Sequence, residues 1–244
     1  MPDLFGDQFD EVSAPKDVNE VLEQLNVACH NCRLGKYLDP ANNGLLWSGT
    51  PEAKVAFLTD MPEIEGTVLS KRVPVAGNSG RVLSGIIQAM DLQEDEIFVT
   101  SVVQCRTEKG IGSRKKKKKG GKKELDLVLP QKQEIETCFP NRPLQVLRAM
   151  PNLEVLVTLG WTAAAAVLGR EPEPREKSHE GQWFGSHLLP GVAVFCLDHP
   201  RFLGSDADSK KIGKLGQWLL FFRNEYTSSG QILTILKACA ENQK

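Results

Sequence analysis

With 244 residues, of which 41% are hydrophobic and 25% charged, the chain is long enough to form one large domain around its own core. No run of about eighteen apolar residues occurs in it, so no membrane-spanning helix is predicted. The formal net charge of −1 hides a strong asymmetry, because many basic residues are concentrated in one stretch.

The amino terminus and the cysteines indicate the cellular compartment. The first seven residues are acidic and contain no apolar segment of the kind that a secretory signal requires, so a cytoplasmic protein is expected. Residues 1–16 are predicted to be a flexible lead-in, and residues 17–244 a single domain. Six cysteines in a cytosolic chain are more often metal ligands, catalytic groups or core residues than disulfides.

The spacing of apolar residues predicts helices and strands along the first half of the chain. Short runs of β-branched and apolar residues indicate buried strands, and apolar residues three and four positions apart indicate helices. Helix starts are placed at residues whose side chains can cap the first turn. In chain order, the predictions are a helix from an Asp17 cap to Leu25, an irregular stretch over 34–51, a strand at 55–59, a helix from a Ser79 cap to Met90, and a strand from Ile97.

The second half continues this alternation. Pro140 and Pro143 interrupt a helical pattern that extends from residue 131 to residue 150. The remaining predictions are strands at 153–159 and 192–197, an alanine-rich helix at 162–168, a charged surface loop at 169–181, a helix through Leu215 to Phe222, and a short helix to Cys239. Four strands that alternate with helices indicate a parallel sheet covered on both faces.

Three of the four predicted strands end in distinctive polar residues. Asp60, Ser101 and His199 each follow an apolar run. In a parallel sheet the carboxyl ends of the strands lie at one edge, which is where α/β proteins place their sites. The sequence therefore predicts a cleft lined by a carboxylate, a hydroxyl and an imidazole.

A basic insertion is predicted at residues 109–123. It holds nine Lys or Arg residues, no acidic residue and four glycines, so it cannot pack into a core. One interpretation is a solvated surface loop. The interpretation favoured here is attraction of nucleic-acid phosphates, with Lys115, Lys116 and Lys117 among the contacts.

A possible metal site begins at Cys29-His30-Asn31-Cys32, directly after the first predicted helix. Two cysteines three positions apart can both face one metal centre. The alternative is a pair of unrelated buried thiols.

The ordered set of motifs resembles the iron–sulfur uracil-DNA glycosylases of families 4 and 5. The resemblance extends over roughly residues 20 to 225, and each motif is weak by itself. The matching segments are Cys29-x-x-Cys32, Cys105 in Val103-Gln104-Cys105-Arg106, Cys138, Pro74-x-x-Gly77-x-Ser79-Gly80-Arg81, Val155 to Gly160 with the alanines that follow, and His199-Pro200.

The resemblance implies a three-layer αβα sandwich with a central, mainly parallel four-stranded sheet. It also implies a [4Fe–4S] cluster with a structural role, held by Cys29, Cys32, Cys105 and Cys138. Zinc in a four-cysteine site is the alternative occupant, because spacing alone does not exclude it. The other two cysteines have no motif match and are expected in the core.

The activity that the resemblance implies is hydrolysis of the N-glycosidic bond of uracil or a related deaminated base in DNA, after the base has left the stack. His199 would donate a hydrogen bond to O2 of the departing base, and Asp60 would hold the attacking water. Met61 would border the base. The expected DNA contacts are Ser79, Gly80, Arg81 and Arg201, in a protein that acts as a monomer away from membranes.

Two departures from the family pattern concern the base. Val75 aligns with the phenylalanine that stacks on it, and Ser101 aligns with the asparagine that reads its edge. A hydroxyl cannot copy a bidentate amide, and the absence of a stacking side chain costs roughly 1–3 kcal/mol per base. Two alternatives to a divergent enzyme therefore stay open: a non-catalytic, glycosylase-like iron–sulfur protein that binds DNA, and a regulatory protein that carries a cluster or zinc.

Overall fold

The computed structural model describes most of the predicted domain. The residues described are 17–27, 29–32, 34, 46–62, 73–93, 95–105, 130–169, 179–202, 215–220 and 222–224. The lead-in at 1–16, the basic stretch at 109–123 and Cys239 lie outside these ranges. In the part of the chain that the structure describes, no helix has the length and apolarity needed to cross a membrane.

A six-stranded sheet forms the centre of the fold. Its strands are β1 (Trp47–Gly49), β2 (Val55–Thr59), β3 (Ile97–Ser101), β4 (Val155–Leu159), β5 (Trp183–Gly185) and β6 (Ala193–Leu197), in the order β1-β3-β2-β4-β6-β5. The central four strands are parallel, and β1 and β5 pair with them antiparallel at the two edges. The predicted parallel sheet is confirmed. The two edge strands are additional, and β1 lies where an irregular stretch was predicted.

Helices cover both faces of the sheet, which confirms the three-layer sandwich. They are α1 (Val18–Leu25), α2 (Gly77–Ala89), α3 (Lys132–Cys138), α4 (Pro143–Ala149), α5 (Trp161–Val167), the 3₁₀ turn Pro200–Phe202, and a C-terminal helical segment at 215–220 and 222–224. Residues of α2 and of the C-terminal helical segment pack on one face, and residues of α1, α3, α4 and α5 pack on the other. Every residue of the four central strands is buried, which explains their continuous apolar runs.

The two predicted helix caps differ in outcome. Asp17 caps α1 as predicted, because its Oδ1 accepts a hydrogen bond from the N–H of Asn19 at 2.7 Å. The prediction that Ser79 caps α2 is wrong, since the helix already begins at Gly77 after an extended Ala76. Ser79 lies inside the first turn with its side chain buried.

Candidate active site and candidate metal centre

The carboxyl ends of β2 and β3 are joined by main-chain hydrogen bonds that continue past the strands. The N–H of Val102 donates to the carbonyl of Thr59 at 2.9 Å, and the N–H of Val103 donates to the carbonyl of Asp60 at 3.1 Å. These bonds fix the main chain of Asp60 at the edge of the sheet. His199 follows β6 by two residues, so both predicted residues lie at the same edge.

The structure brings Asp60 and His199 into contact. Nε2 of His199 lies 3.3 Å from Oδ1 of Asp60 and 2.9 Å from Oγ1 of Thr59. The Asp60 Oδ1 also accepts the main-chain N–H of Met61 at 2.8 Å. The Asp60 and His199 side chains are 4% and 2% exposed, so the pair is closed off from bulk water in this conformation.

Arg201 completes this network. Its guanidinium donates to the second carboxylate oxygen of Asp60, Oδ2, and its side chain is 18% exposed. Its main-chain N–H donates to Nδ1 of His199 at 3.2 Å. Because Nδ1 accepts that bond, the imidazole carries its single proton on Nε2, which donates toward Thr59 and Asp60.

The charge of the Asp60 carboxylate is stabilised by this network. Burial raises the pKa of Asp60, but the hydrogen bond from His199, the charge of Arg201 and the N–H of Met61 together hold the pKa below its usual value. Asp60 is therefore ionised at neutral pH. A carboxylate of this kind is a weak base and an effective fixed negative charge.

Gly160 makes room for the imidazole. It joins β4 to α5 with φ +94°, a conformation that favours glycine, and its N–H donates to the carbonyl of Leu197 at 2.8 Å. A Cβ at this position would lie 3.2 Å from Cβ of His199. The glycine thus lets the turn after β4 approach His199 closely.

Ser101 has a different environment from the one predicted. Its hydroxyl is fully buried and donates to the carbonyl of Val103 at 3.0 Å. The hydroxyl that contacts Asp60 and His199 belongs to Thr59 instead. The predicted combination of carboxylate, hydroxyl and imidazole is therefore present, with Thr59 as the source of the hydroxyl.

The predicted contacts Val75, Ser79, Gly80 and Arg81 lie near the start of α2, and Met61 is buried beside Asp60. Lys115, Lys116 and Lys117 lie outside the described residues. A groove of about 650 Å³ runs between α2 and the β1–β3 edge, and Val75, Gly80 and Arg81 line it. Arg81 donates to the side chain of Asn78 at 2.7 Å. The groove does not include Asp60, Ser101 or His199, so it is separate from the carboxylate network.

The four predicted metal ligands come from three segments of the chain and lie near one another. Burial, together with the neighbouring Cys32 and Cys29, raises the pKa of Cys105 to about 12. Burial also raises the pKa of Cys138 to about 12, with Cys105 and Cys29 again opposing ionisation. The thiols of Cys105 and Cys138 therefore suit a positively charged group that would replace their protons.

Two polar residues, Gln104 and Arg142, lie close to these thiols. The main-chain N–H of Gln104 donates to Sγ of Cys138 at 3.3 Å, and its side chain contacts Leu46, Thr100 and Ser101. The buried Arg142 donates to the carbonyls of Leu25 and Val27, just before Cys29, and its charge lowers the pKa of both buried cysteines. Among the described residues, no three Cys, His, Asp or Glu side chains already form a metal-binding group. By its chemistry, a set of cysteine thiols of which two are buried, the donor set fits a thiolate-bound group.

The sequence did not predict the hydrogen bonds and ion pairs that four residues make in the two sites. Thr59 was identified only as a strand residue, Arg201 was expected on DNA, and Gln104 and Arg142 were not singled out. Its position directly before Asp60 was the one feature of the sequence that could have indicated a role for Thr59 in the site. For the other three, the hydrogen bonds join residues at least 34 positions apart or run to the main chain, so no local pattern shows them.

The chain is similar to proteins of known function over most of its length. The family model described as the uracil DNA glycosylase superfamily matches residues 46–219. A type-4 uracil-DNA glycosylase of Sulfurisphaera tokodaii is 26% identical over 217 residues, which cover 82% of this chain and 85% of the relative. A type-4 uracil-DNA glycosylase of Archaeoglobus fulgidus is 22% identical over 217 residues, which cover 82% of this chain and 94% of that relative.

Proposed function

Because this chain belongs to the uracil DNA glycosylase superfamily, we propose that it is a DNA glycosylase that releases uracil or a related deaminated base. The observation that carries this proposal is the Asp60 carboxylate, buried and ionised, in contact with His199 at the edge of the sheet. The two curated relatives, both called type-4 uracil-DNA glycosylases, support the choice of uracil.

The proposed reaction breaks the bond between C1′ of deoxyribose and the base nitrogen, and the bonding electrons leave with the base. Positive charge develops on the sugar and negative charge on the base. The fixed negative charge of Asp60 stabilises the sugar cation and orients a water toward C1′, where its oxygen forms the new bond. That water loses a proton to solvent as the new bond forms, and the released base takes up one proton. His199 keeps Asp60 in position through its Nε2–H.

A [4Fe–4S] cluster bound by Cys29, Cys32, Cys105 and Cys138 is part of this proposal, with zinc as the alternative group. What supports it is the proximity of the four thiols, and the raised pKa of Cys105 and Cys138, which a positively charged group would offset. When bound, such a group would cross-link the segments that carry the cysteines, and the hydrolysis needs no electron transfer from it.

The contacts with DNA that we propose come from the start of α2 and from the basic stretch. Ser79, Gly80 and Arg81 lie in the first turns of α2, where main-chain N–H groups and a cation favour a phosphate. Lys115, Lys116 and Lys117 would add attraction that does not depend on DNA sequence.

A second candidate is a DNA-binding protein of this fold that does not cleave. It is favoured by the buried Ser101 hydroxyl, which donates to Val103, and by the small apolar side chain of Val75. Neither residue supplies the stacking or the bidentate hydrogen bonds that the base-reading residues of the family supply.

A base-release assay separates the two candidates. Purified protein is incubated with single- and double-stranded oligonucleotides that contain uracil, hypoxanthine or xanthine, and abasic sites are then cleaved with alkali. Release of any of these bases, and its loss in Asp60→Asn, supports the enzyme. DNA binding without release of any base, in the wild type and in a Val75→Phe, Ser101→Asn variant that restores the family's pair, supports the second candidate.

A further inference from the structure

We propose that Arg201 is a catalytic residue that donates a hydrogen bond to the departing base. This inference rests on the glycosylase function proposed above and assigns the contact with the base anion within that reaction. It differs from the sequence-based expectation, which gave this contact to His199 and placed Arg201 on the DNA backbone.

The first argument is the direction of the His199 hydrogen bonds. Nδ1 is occupied by the main-chain N–H of Arg201 at 3.2 Å, so it has no proton to give. The one ring proton, on Nε2, points to Thr59 Oγ1 at 2.9 Å and to Asp60 Oδ1 at 3.3 Å. In this arrangement the one ring proton is directed to groups of the protein.

The second argument is access. The Asp60 and His199 side chains are 4% and 2% exposed, whereas that of Arg201 is 18% exposed. Arg201 therefore lies between the buried carboxylate and the outside. The 3₁₀ turn that carries it packs against α2, the helix whose start is the proposed phosphate contact. A nucleotide held at α2 would meet Arg201 before it met His199.

The third argument is the number of free donors. A guanidinium has five N–H groups, and the structure shows one terminal nitrogen donating to Oδ2 of Asp60. Nε of Arg201 is buried and has no partner among the described residues. The ion pair with Asp60 thus fixes the guanidinium without using all its N–H groups.

The positive charge of Arg201 would stabilise the negative charge that forms on the departing base. As the bond from C1′ to the base breaks, the electron pair moves onto the base and its negative charge reaches O2. The guanidinium would stabilise that anion while the neighbouring Asp60 stabilises the sugar cation, so the two charges of one ion pair match the two developing charges. Arg201 keeps its proton throughout, and the released base is protonated by solvent.

The test uses two substrates whose leaving groups differ. Fluorine makes the anion of 5-fluorouracil less basic than that of uracil, so its departure needs less assistance. Single-turnover rates are measured for Arg201→Gln and Arg201→Lys on oligonucleotides that contain deoxyuridine or 5-fluorodeoxyuridine. We expect Arg201→Gln to lose about 100- to 1,000-fold on uracil and clearly less on 5-fluorouracil. Arg201→Lys keeps a cation and should show the same pattern with smaller losses.

Arg223→Gln is the matched control. It also removes an arginine that pairs with a carboxylate, Asp91, at 3.2 Å, but this pair is on the surface. It should leave both rates unchanged. Thermal melting and circular dichroism establish that each variant is folded, and Arg201→Lys serves if Arg201→Gln does not fold.

Three results would overturn the assignment. Equal losses on the two bases would show that Arg201 only positions Asp60. A weaker Kd for DNA with an unchanged single-turnover rate would show a backbone contact. A folded wild type that releases neither base would overturn the proposed function itself, and the assignment with it.

Discussion

The carboxylate network and the four-cysteine region differ in how their charges are balanced. In the network, Asp60 has Arg201, His199 and the N–H of Met61 as partners, and the balance lowers its pKa. In the four-cysteine region, burial and neighbouring thiols raise the pKa of Cys105 and Cys138 to about 12. In the first region, groups of this chain balance the charge of Asp60, whereas in the second the charge of Arg142 only partly offsets burial and the neighbouring thiols. The cluster proposed above would supply further positive charge to the cysteine region.

The largest expected effect comes from removing a cysteine ligand. Cys138→Ala should abolish iron binding and most of the folded protein, because Cys138 is buried and accepts the N–H of Gln104. Iron per chain is measured after anaerobic purification and cluster reconstitution, and folding by circular dichroism. Cys196→Ala is the matched control, since Cys196 is equally buried but belongs to β6. It should keep the iron. Stoichiometric zinc without iron in the wild type would contradict the cluster.

The next effect should come from the carboxylate. Asp60→Asn keeps the size of the side chain but removes the charge that favours the sugar cation, and base release should fall about 100- to 1,000-fold. The variant should stay folded and bind DNA with unchanged Kd, measured by fluorescence anisotropy. Wild-type rates in the folded variant would remove Asp60 from the mechanism.

The central sheet and the position of the carboxylate network at its edge could be predicted from the sequence. The four central strands are buried on both faces and so appear as continuous apolar runs, and parallel pairing then places Asp60 and His199 at one edge. The edge strands β1 and β5 have only three residues each, too few for a periodic signal.

The details of hydrogen bonding could not be predicted in the same way. An arginine after His-Pro is compatible with either a phosphate contact or an internal ion pair, and only the fold shows that Arg201 reaches Asp60, 141 residues away. The inward turn of the Ser101 hydroxyl to Val103 likewise depends on how the chain leaves β3.

A smaller change tests how closely the sheet edge is packed. Gly160→Ala should destabilise the protein by about 1–3 kcal/mol through backbone strain at φ +94°, and should also lower activity because the new Cβ would crowd His199. Gly191→Ala is the control, since it has φ +84° and open space around a Cβ. It should cost stability and leave kcat unchanged. Similar losses of activity in the two variants would contradict a specific role for the close approach at His199.

Acid should weaken the carboxylate network. The pKa of Asp60 is lowered from 3.8 in the folded state, so its contribution to the free energy of unfolding is complete above that value. The contribution is lost as pH falls through the lowered pKa, because the unfolded chain takes up the proton first. Urea unfolding between pH 6 and pH 2 should therefore show a shallower acid loss for Asp60→Asn than for wild type. Parallel curves would mean that Asp60 is not stabilised in the folded state.

The smallest effect concerns the basic stretch. Replacing Lys115, Lys116 and Lys117 with Gln should weaken DNA binding alike for all sequences. It should also reduce the slope of log K against log salt by about 0.9 for each phosphate of duplex DNA that these lysines neutralise. Binding is measured across a salt series, and an unchanged slope would show that these residues do not bind phosphates.

The two main-chain bonds between β2 and β3 give the molecule a built-in reporter. The N–H of Val103 is held by the carbonyl of Asp60 and lies two residues before Cys105. An opening at either region would expose this one proton to deuterium. Its exchange rate, followed by mass spectrometry with and without iron, would therefore measure how much metal binding at the cysteines reduces local opening near Asp60. If that exchange is slow only in the iron-loaded protein, insertion of the group is the last step in making the reactive edge rigid.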